Sequence, residues 1–258
     1  LFLGDTDFSE KVLKKIKRLN KKYFIIDFSK NNKFKKDKNS HRVSIGKFGK
    51  IINIIKKNKS KKVLFAGKIA KPKFSTLRLD LKGIYYMPSV IKAAKSGDAA
   101  IIKAIIKILE NENIKVISSN FFNPELSLKT GNYTKLKPNT VDINSIKKGI
   151  SYFNKLNSLD HIQALIVSDK KIIATEGNQG TKKMLSKLKK TYGGILIKLP
   201  KKKQDLRMDL PTIGLNTLKD CKKIGLKGVV LKSKKNIFLD KAKCINFANK
   251  NKIFIKVI

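Results

Sequence analysis

The sequence predicts an α/β protein of two domains, on three observations. From residue 1 to about 120, short apolar runs of strand length alternate with segments of helical period, the rhythm of a mainly parallel sheet with helices on both faces. From 121 to 141 turn residues crowd together, in Asn123-Pro124, Gly131-Asn132 and Pro138-Asn139, which predicts a linker. From 142 to 258 helices and strands resume with a hairpin among them, which predicts a smaller C-terminal α/β domain with a mixed sheet. A chain of 258 residues can close two cores.

In chain order, Leu1-Phe2-Leu3 reads as a strand, and Ser9 is placed to cap a helix carrying Val12, Leu13, Ile16 and Leu19 at helical spacing. Strands follow at Tyr23 to Phe28 and Arg42 to Ile45. A helix over Gly46 to Lys57 points Phe48, Ile51, Ile52 and Ile55 inward, and a strand over Lys62 to Phe65 ends at Ala66-Gly67-Lys68. Pro88 to Asn111 reads as one long helix with a break signal at Ser96-Gly97-Asp98, and Ile114 to Ser118 as a strand. In the second half Asp142 is placed to cap a helix through Leu156. Ile162 to Val167 and Lys171 to Thr175 form the hairpin, with Ser168-Asp169-Lys170 as its turn. Helices at Thr181 to Lys190, Asn216 to Ile224 and Lys241 to Asn249 interleave with strands at Gly194 to Lys198, Gly228 to Leu231, Asn236 to Leu239 and Ile253 to Val257.

Sixty basic residues stand against 18 acidic ones, for a net charge of +42. Such a balance ordinarily points to nucleic acid or an anionic surface. Only four of the sixty are Arg, at 18, 42, 78 and 207, whereas a phosphate- or base-reading protein leans on the planar fork of Arg. Lys, Ile and Asn are together abundant, the signature of AT-rich codons. The excess therefore reads as compositional bias on solvated faces, with no nucleic-acid partner. A weak electrostatic attraction to anionic lipid survives this reading.

No apolar run approaches the ~20 residues of a membrane span. Leu1-Phe2-Leu3-Gly4 carries no basic leader, so no signal peptide is expected. Cys221 and Cys244 lack CxxC spacing, which excludes a zinc ribbon and a disulfide scaffold and fits a reducing cytoplasm. His41 and His161 are the only histidines and lie in different halves, which excludes a His-rich two-metal site and leaves little for a Ser-His-Asp triad. There is no P-loop and no GxGxxG.

The densest polar stretch is Gln204-Asp205-Leu206-Arg207-Met208-Asp209-Leu210-Pro211-Thr212-Ile213-Gly214. If extended, it points Asp205, Arg207 and Asp209 to one face. Two carboxylates flanking a guanidinium could hold Mg²⁺ beside a diphosphate, or supply a base with the Arg on a phosphoryl oxygen. The plainer reading is a solvated strand edge with a surface ion pair worth about 0–1 kcal/mol. A second constellation, Gly67 with Lys68 and Lys71, closes a predicted strand, where open α/β sheets bind ligands; Gly4 to Asp7 occupies the comparable place after the first strand. The third, Thr175 to Thr181, runs from the hairpin into a helix whose plain reading is a Thr181 cap.

In order and spacing these segments resemble the LpxI-type UDP-2,3-diacylglucosamine diphosphatases of lipid A synthesis, over nearly the whole chain. The stretches that carry the resemblance are Asp209 to Gly214, Ile45 to Lys50, Phe65 to Lys68, Ser96-Gly97-Asp98, Leu159-Asp160 with Gln163, and Glu176 with Gly180-Thr181. The resemblance implies a Rossmann-like N-terminal domain over 1–120 and a C-terminal catalytic domain over 142–258, with the lipid nucleotide held between them. It implies a Mg²⁺-dependent hydrolase that releases UMP and 2,3-diacylglucosamine 1-phosphate, water attacking the β-phosphorus. Asp209 is the match to the essential aspartate, with Arg207 and Asp205 as catalytic companions and Asp205 and Asp209 as metal ligands. Substrate-binding candidates are Gly4, Asp7, Gly67, Lys68, Lys71, Gly97, Asp98, Gln163, Glu176, Gly180, Thr181, Lys198 and Thr212.

The chain departs from the family pattern in three places. The first loop has a single Gly, Gln179 replaces an acid before Gly180, and Lys182 stands where an acid is common. A cytoplasmic protein resting on the inner membrane is expected; oligomeric state, a homo-oligomer included, is left open. The alternative is a non-catalytic basic protein that binds RNA or an anionic membrane.

Overall fold

The structure is a computed structural model that describes residues 1–70, 72–156, 162–177, 179–190, 193–201 and 205–258. It divides into two compact units, Leu1–Asn123 and Pro124–Ile258. The first contains β1 (Phe2–Leu3), α1 (Asp7–Arg18), β2 (Ile25–Asp27), β3 (Ser40–Arg42), α2 (Phe48–Lys57), β4 (Lys62–Ala66), α3 (Leu81–Lys95), α4 (Asp98–Asn111) and β5 (Lys115–Ile117). Its five strands run in the order β3-β2-β1-β4-β5, every pair parallel. β1, β2 and most of β4 are buried at successive residues, as in a sheet covered on both faces.

The second unit contains β6 (Gly131–Asn132), α5 (Thr140–Lys155), β7 (Ala164–Ser168), β8 (Lys171–Thr175), α6 (Thr181–Lys187), β9 (Ile195–Lys198), β10 (Thr212–Ile213), α7 (Leu215–Lys223), β11 (Gly228–Leu231), β12 (Ile237–Phe238), α8 (Lys241–Lys250) and β13 (Phe254–Val257). Six strands form a mixed sheet in the order β6-β13-β11-β9-β7-β8, in which β9, β11 and β13 are parallel. The hairpin β7–β8 and the edge strand β6 are antiparallel additions. The domain expected as the smaller thus carries the larger sheet, six strands to five. β10 and β12 form a separate parallel pair. Period-2 alternation sorts the core to the two faces. Ile195 and Ile197 pack with Leu165, Val167 and Ile146 of α5 on one side. Leu196 packs with Ile166, Val229 and the α7–α8 residues Leu218, Cys221 and Cys244 on the other.

Several local expectations are corrected. α1 begins at Asp7, with Thr6 as its N-cap; Ser9 lies inside the helix, fully buried, and donates to the carbonyls of Gly4 and Ala66 at 2.9 and 2.8 Å. The hydroxyl serves a neighbouring loop instead of its own helix end. α3 begins seven residues before Pro88, because the Asp80 carboxylate accepts the Gly83 N–H at 2.8 Å and caps it there. The break before α4 is real and is made by Gly97, whose φ of +104° suits glycine. α5 is capped by Asn139, with Asp142 answering from the third helical position in a reciprocal capping box. The stretch 121–141 is not an open connector: β6 pairs with β13, and the Leu128 N–H donates to the buried Asn236 side chain at 3.0 Å. No described helix is long and apolar enough to cross a membrane.

Glu112, just beyond α4, ties α2 and α3 to that helix. It accepts from Lys56 at 2.9 Å, from Tyr86 at 2.9 Å and from Lys82. Burial alone would raise its carboxyl, but these three partners outweigh burial and hold it down at about 2, from an ordinary 4.5. A depressed carboxylate stabilises the fold above its unfolded value and loses that contribution as pH falls through its folded one. Glu112→Gln should therefore lower the melting temperature at neutral pH, with the gap to wild type closing between about pH 4.5 and about 2. A gap that stays constant across that window in a pH series of thermal melts would contradict this account.

Candidate functional site

The polar cluster of the second unit lies at one end of its sheet, fixed by strand register. Lys198 is the last residue of β9 and stands opposite Ala164, the first of antiparallel β7, and Leu231, the last of β11. Thr175 ends β8 opposite Leu165, so Glu176 emerges at that same end, and its N–H donates to the Ala164 carbonyl at 2.8 Å. Gln163 immediately precedes β7 and accepts the Leu199 N–H at 3.0 Å. Three elements thus deliver Gln163, Glu176 and Lys198 to the carboxyl end of the parallel strands, where ligands bind in open α/β sheets.

Glu176 is 7% exposed, and both its oxygens are engaged. Oε2 accepts the Gln163 N–H at 3.0 Å, and Oε1 accepts the Thr181 hydroxyl at 2.8 Å. Thr181 is therefore not the cap of α6. Gly180 takes that place at φ +84°, and Thr181, one residue in, spends its hydroxyl on the carboxylate. Both donors to Glu176 are neutral, so its charge is left for a cation. Lys198, only 8% exposed, lies within the field of that carboxylate. Burial pushes the Lys198 ammonium below the usual lysine range, while the Glu176 carboxylate, then Asp209, draw it back up. Its Nζ donates to the Thr212 carbonyl at 3.1 Å, so the buried ammonium ties the end of β9 to β10.

The stretch expected to be extended is folded. Met208 and Asp209 both donate their N–H groups to the Asp205 carbonyl at 3.2 Å, closing a turn. Asp205 and Arg207 do not alternate with Asp209 along a strand face. The Asp205 carboxylate accepts the Arg207 N–H at 3.0 Å and takes its guanidinium in a two-pronged grip, Nε at 3.0 and 3.2 Å and Nη2 at 2.8 Å. Asp205 is thus turned toward its own neighbour. Among the described residues no three of His, Cys, Asp and Glu gather at metal-holding distance. Cys221 lies beside Lys198 but is no nucleophile: burial pushes its thiol up to about 12.

The remaining candidates belong to the first unit. The loops bearing Gly4 and Gly67 close on each other at the carboxyl ends of β1 and β4, with Gly4 N–H to Ala66 carbonyl and Asp5 N–H to Lys68 carbonyl, both at 2.9 Å. A Cβ on Gly4 would stand 2.2 Å from the Lys68 carbonyl oxygen, which explains the glycine by close approach. Asp7 opens α1, and Gly97 and Asp98 form the α3–α4 junction. Lys71, Asp160, His161 and Gln204 lie outside the described residues. What sequence reasoning missed is that Lys198 is a buried cation in the field of both Glu176 and Asp209. Its signal was a single Lys closing the apolar run Ile195-Leu196-Ile197, which carries little weight in a chain so rich in Lys.

Family models match both units. The LpxI N-terminal domain matches residues 1–126 and the LpxI C-terminal domain residues 129–256. The chain is 30% identical over 223 residues to the UDP-2,3-diacylglucosamine pyrophosphatase LpxI of Caulobacter vibrioides, covering 83% of this chain and 80% of that protein.

The Thr181 anchor is open to test. Thr181→Val leaves Glu176 Oε1 short of a buried donor and should cost about 1–3 kcal/mol. The measure is the midpoint of denaturant unfolding; Thr181→Ser, which keeps the hydroxyl, should recover most of the loss. Equal midpoints for the valine and serine variants would show that the hydroxyl bond does not hold this turn.

Proposed function

The chain belongs to the LpxI family, and on that footing we propose that it hydrolyses the diphosphate of UDP-2,3-diacylglucosamine to UMP and 2,3-diacylglucosamine 1-phosphate, at the Lys198–Glu176–Asp209 cluster. The observation that supports the site is the buried ammonium of Lys198 beside Asp209, at the carboxyl end of the sheet within the matched C-terminal domain. A diphosphate is a dense anion. Lys198 offers it a charge fixed by burial and by the Thr212 carbonyl, so little reorganisation is needed when negative charge shifts toward the leaving phosphate. Arg207, held in plane by Asp205, offers a second cation from the same turn. Asp209 is half-buried beside Lys198, and it takes the proton of the attacking water and aims that water at the β-phosphorus. Glu176 and Thr181 keep Lys198 and the start of α6 in place and do not themselves react.

Mg²⁺ arriving with the substrate would be held on the protein side by Asp209 and would supply neutralisation of the diphosphate charge. The lipid substrate places the work at an anionic bilayer surface, the inner membrane facing the cytoplasm, to which the net charge of +42 adds a long-range attraction.

Three outcomes are expected. Asp209→Asn should lower UMP release by at least ~10²-fold with substrate still bound, and near-normal turnover would remove Asp209 from the chemistry. In labelled water the oxygen should appear on the sugar-lipid monophosphate; label on UMP would mean attack at the α-phosphorus. A chelator should abolish turnover, while Mg²⁺ alone should leave the melting temperature unmoved. A shift caused by Mg²⁺ alone would point to a resident metal site.

A further inference from the structure

α3 presents an apolar face to solvent that the chemistry above does not use. Gly83, Met87 and Val90 are its buried positions. On the opposite face Leu81 is 86% exposed, Tyr85 77%, Ile84 60% and Ile91 40%, with exposed Pro88 among them. The spacing 81, 84, 85, 88, 91 is one helical stripe, so these residues form a continuous ridge. Lys92 and Lys95 continue the same face into the last turn. The helix contains no acidic residue. The acid that precedes it, Asp80, is occupied by the N–H groups of Gly49, Lys50 and Gly83, and Glu112 beside Lys82 is occupied by Lys56, Lys82 and Tyr86.

We infer that α3 is a membrane-docking helix that lies in the plane of an anionic bilayer surface, with Leu81, Ile84, Tyr85 and Ile91 seated among the upper acyl chains and Lys92 and Lys95 at the phosphates. An apolar stripe bordered by lysines is the form interfacial helices take, and tyrosine suits a boundary that is oily on one side and wet on the other. Charge complementarity selects this occupant over a second copy of the chain. Two copies, each at +42, repel across a face whose only charged side chains are lysines, whereas a phosphate surface attracts it. The inference rests on the membrane half of the proposed function and not on the diphosphatase chemistry.

The chain has no tryptophan, so Tyr85→Trp installs a single reporter. With vesicles of phosphatidylglycerol and phosphatidylethanolamine its emission should shift to the blue and be quenched by brominated acyl chains. With phosphatidylcholine alone it should stay at the water value. Adding Leu81→Glu should weaken co-sedimentation at least ~10-fold without changing the melting temperature or the hydrolysis of a short-chain, freely soluble substrate. Co-sedimentation that leaves the indole unshifted, or that Leu81→Glu does not weaken, would mean attraction by charge alone and overturn the docking helix. Absence of any vesicle binding would overturn both the helix and the membrane partner. A lipid-free oligomer that dissociates on Leu81→Glu would assign the face to a second copy and likewise overturn the inference. Insertion without UMP release from the lipid nucleotide would leave the docking helix standing and remove the chemistry.

Discussion

The constraint on which the second unit turns is the burial of the Lys198 ammonium. A charge taken out of water is costly unless it is paired and hydrogen-bonded, and β9 takes this one out at the end of three buried apolar residues. What surrounds it follows from that need. The Glu176 carboxylate, which draws the ammonium back up, has its own oxygens held by the neutral donors Gln163 and Thr181. The segment after Pro211 must run across the strand end so that the Thr212 carbonyl can meet Nζ. Gly180 must adopt a positive φ so that α6 can start where Thr181 reaches the carboxylate. The site's backbone is in this sense a by-product of satisfying one cation.

Much of the fold was legible because it depends on periodicity. Runs such as Ile25-Ile26 and Val229-Val230 are apolar at successive positions, and a doubly covered strand needs that; the stripe of α1 needs only spacing. What was misplaced depends on side-chain hydrogen bonds, which periodicity does not encode. Ser9 looks like a cap but bonds the Gly4 loop. Asp142 looks like a cap but is the partner of one. Asp80, not Pro88, begins α3, because a capping carboxylate outweighs the usual preference of proline for the first turn.

The site was legible in part for the same reason. Gln163, Glu176, Gly180, Thr181, Lys198 and Thr212 were each marked; strand register brings Gln163, Glu176 and Lys198 to one end of the sheet, and hydrogen bonds tie Thr181 and Thr212 to them. The relation among Asp205, Arg207 and Asp209 was drawn wrongly. An alternating D-x-R-x-D reads as a strand, but the Asp205 side chain and carbonyl capture the N–H groups of Arg207, Met208 and Asp209 and wind the segment into a turn. Local capture of backbone donors by an aspartate competes with extended structure, and no side-chain alternation reveals which wins.

The same distinction, between a cation's number and its surroundings, explains how a chain at +42 can hold a selective anion site. Ion pairs elsewhere in the described residues use cations open to solvent: Lys17 for Asp37, Arg42 for Asp27, Lys56 and Lys82 for Glu112, Arg207 for Asp205 and Lys227 for Asp142 are at least 36% exposed, and Lys33 for Glu10 is 31% exposed. Charges of that kind are screened within about 8–10 Å at ordinary ionic strength and contribute little to affinity. Lys198 is shielded from that screening by burial and held by Thr212, so its field is strong and directional. On the proposed function, the surface lysines can therefore vary in number with little effect on the reaction and would tune how strongly the protein is drawn to anionic surfaces. On the proposed function, the charge that matters to the chemistry is concentrated at Lys198 and at Arg207, with the Glu176 and Asp209 carboxylates acting on Lys198.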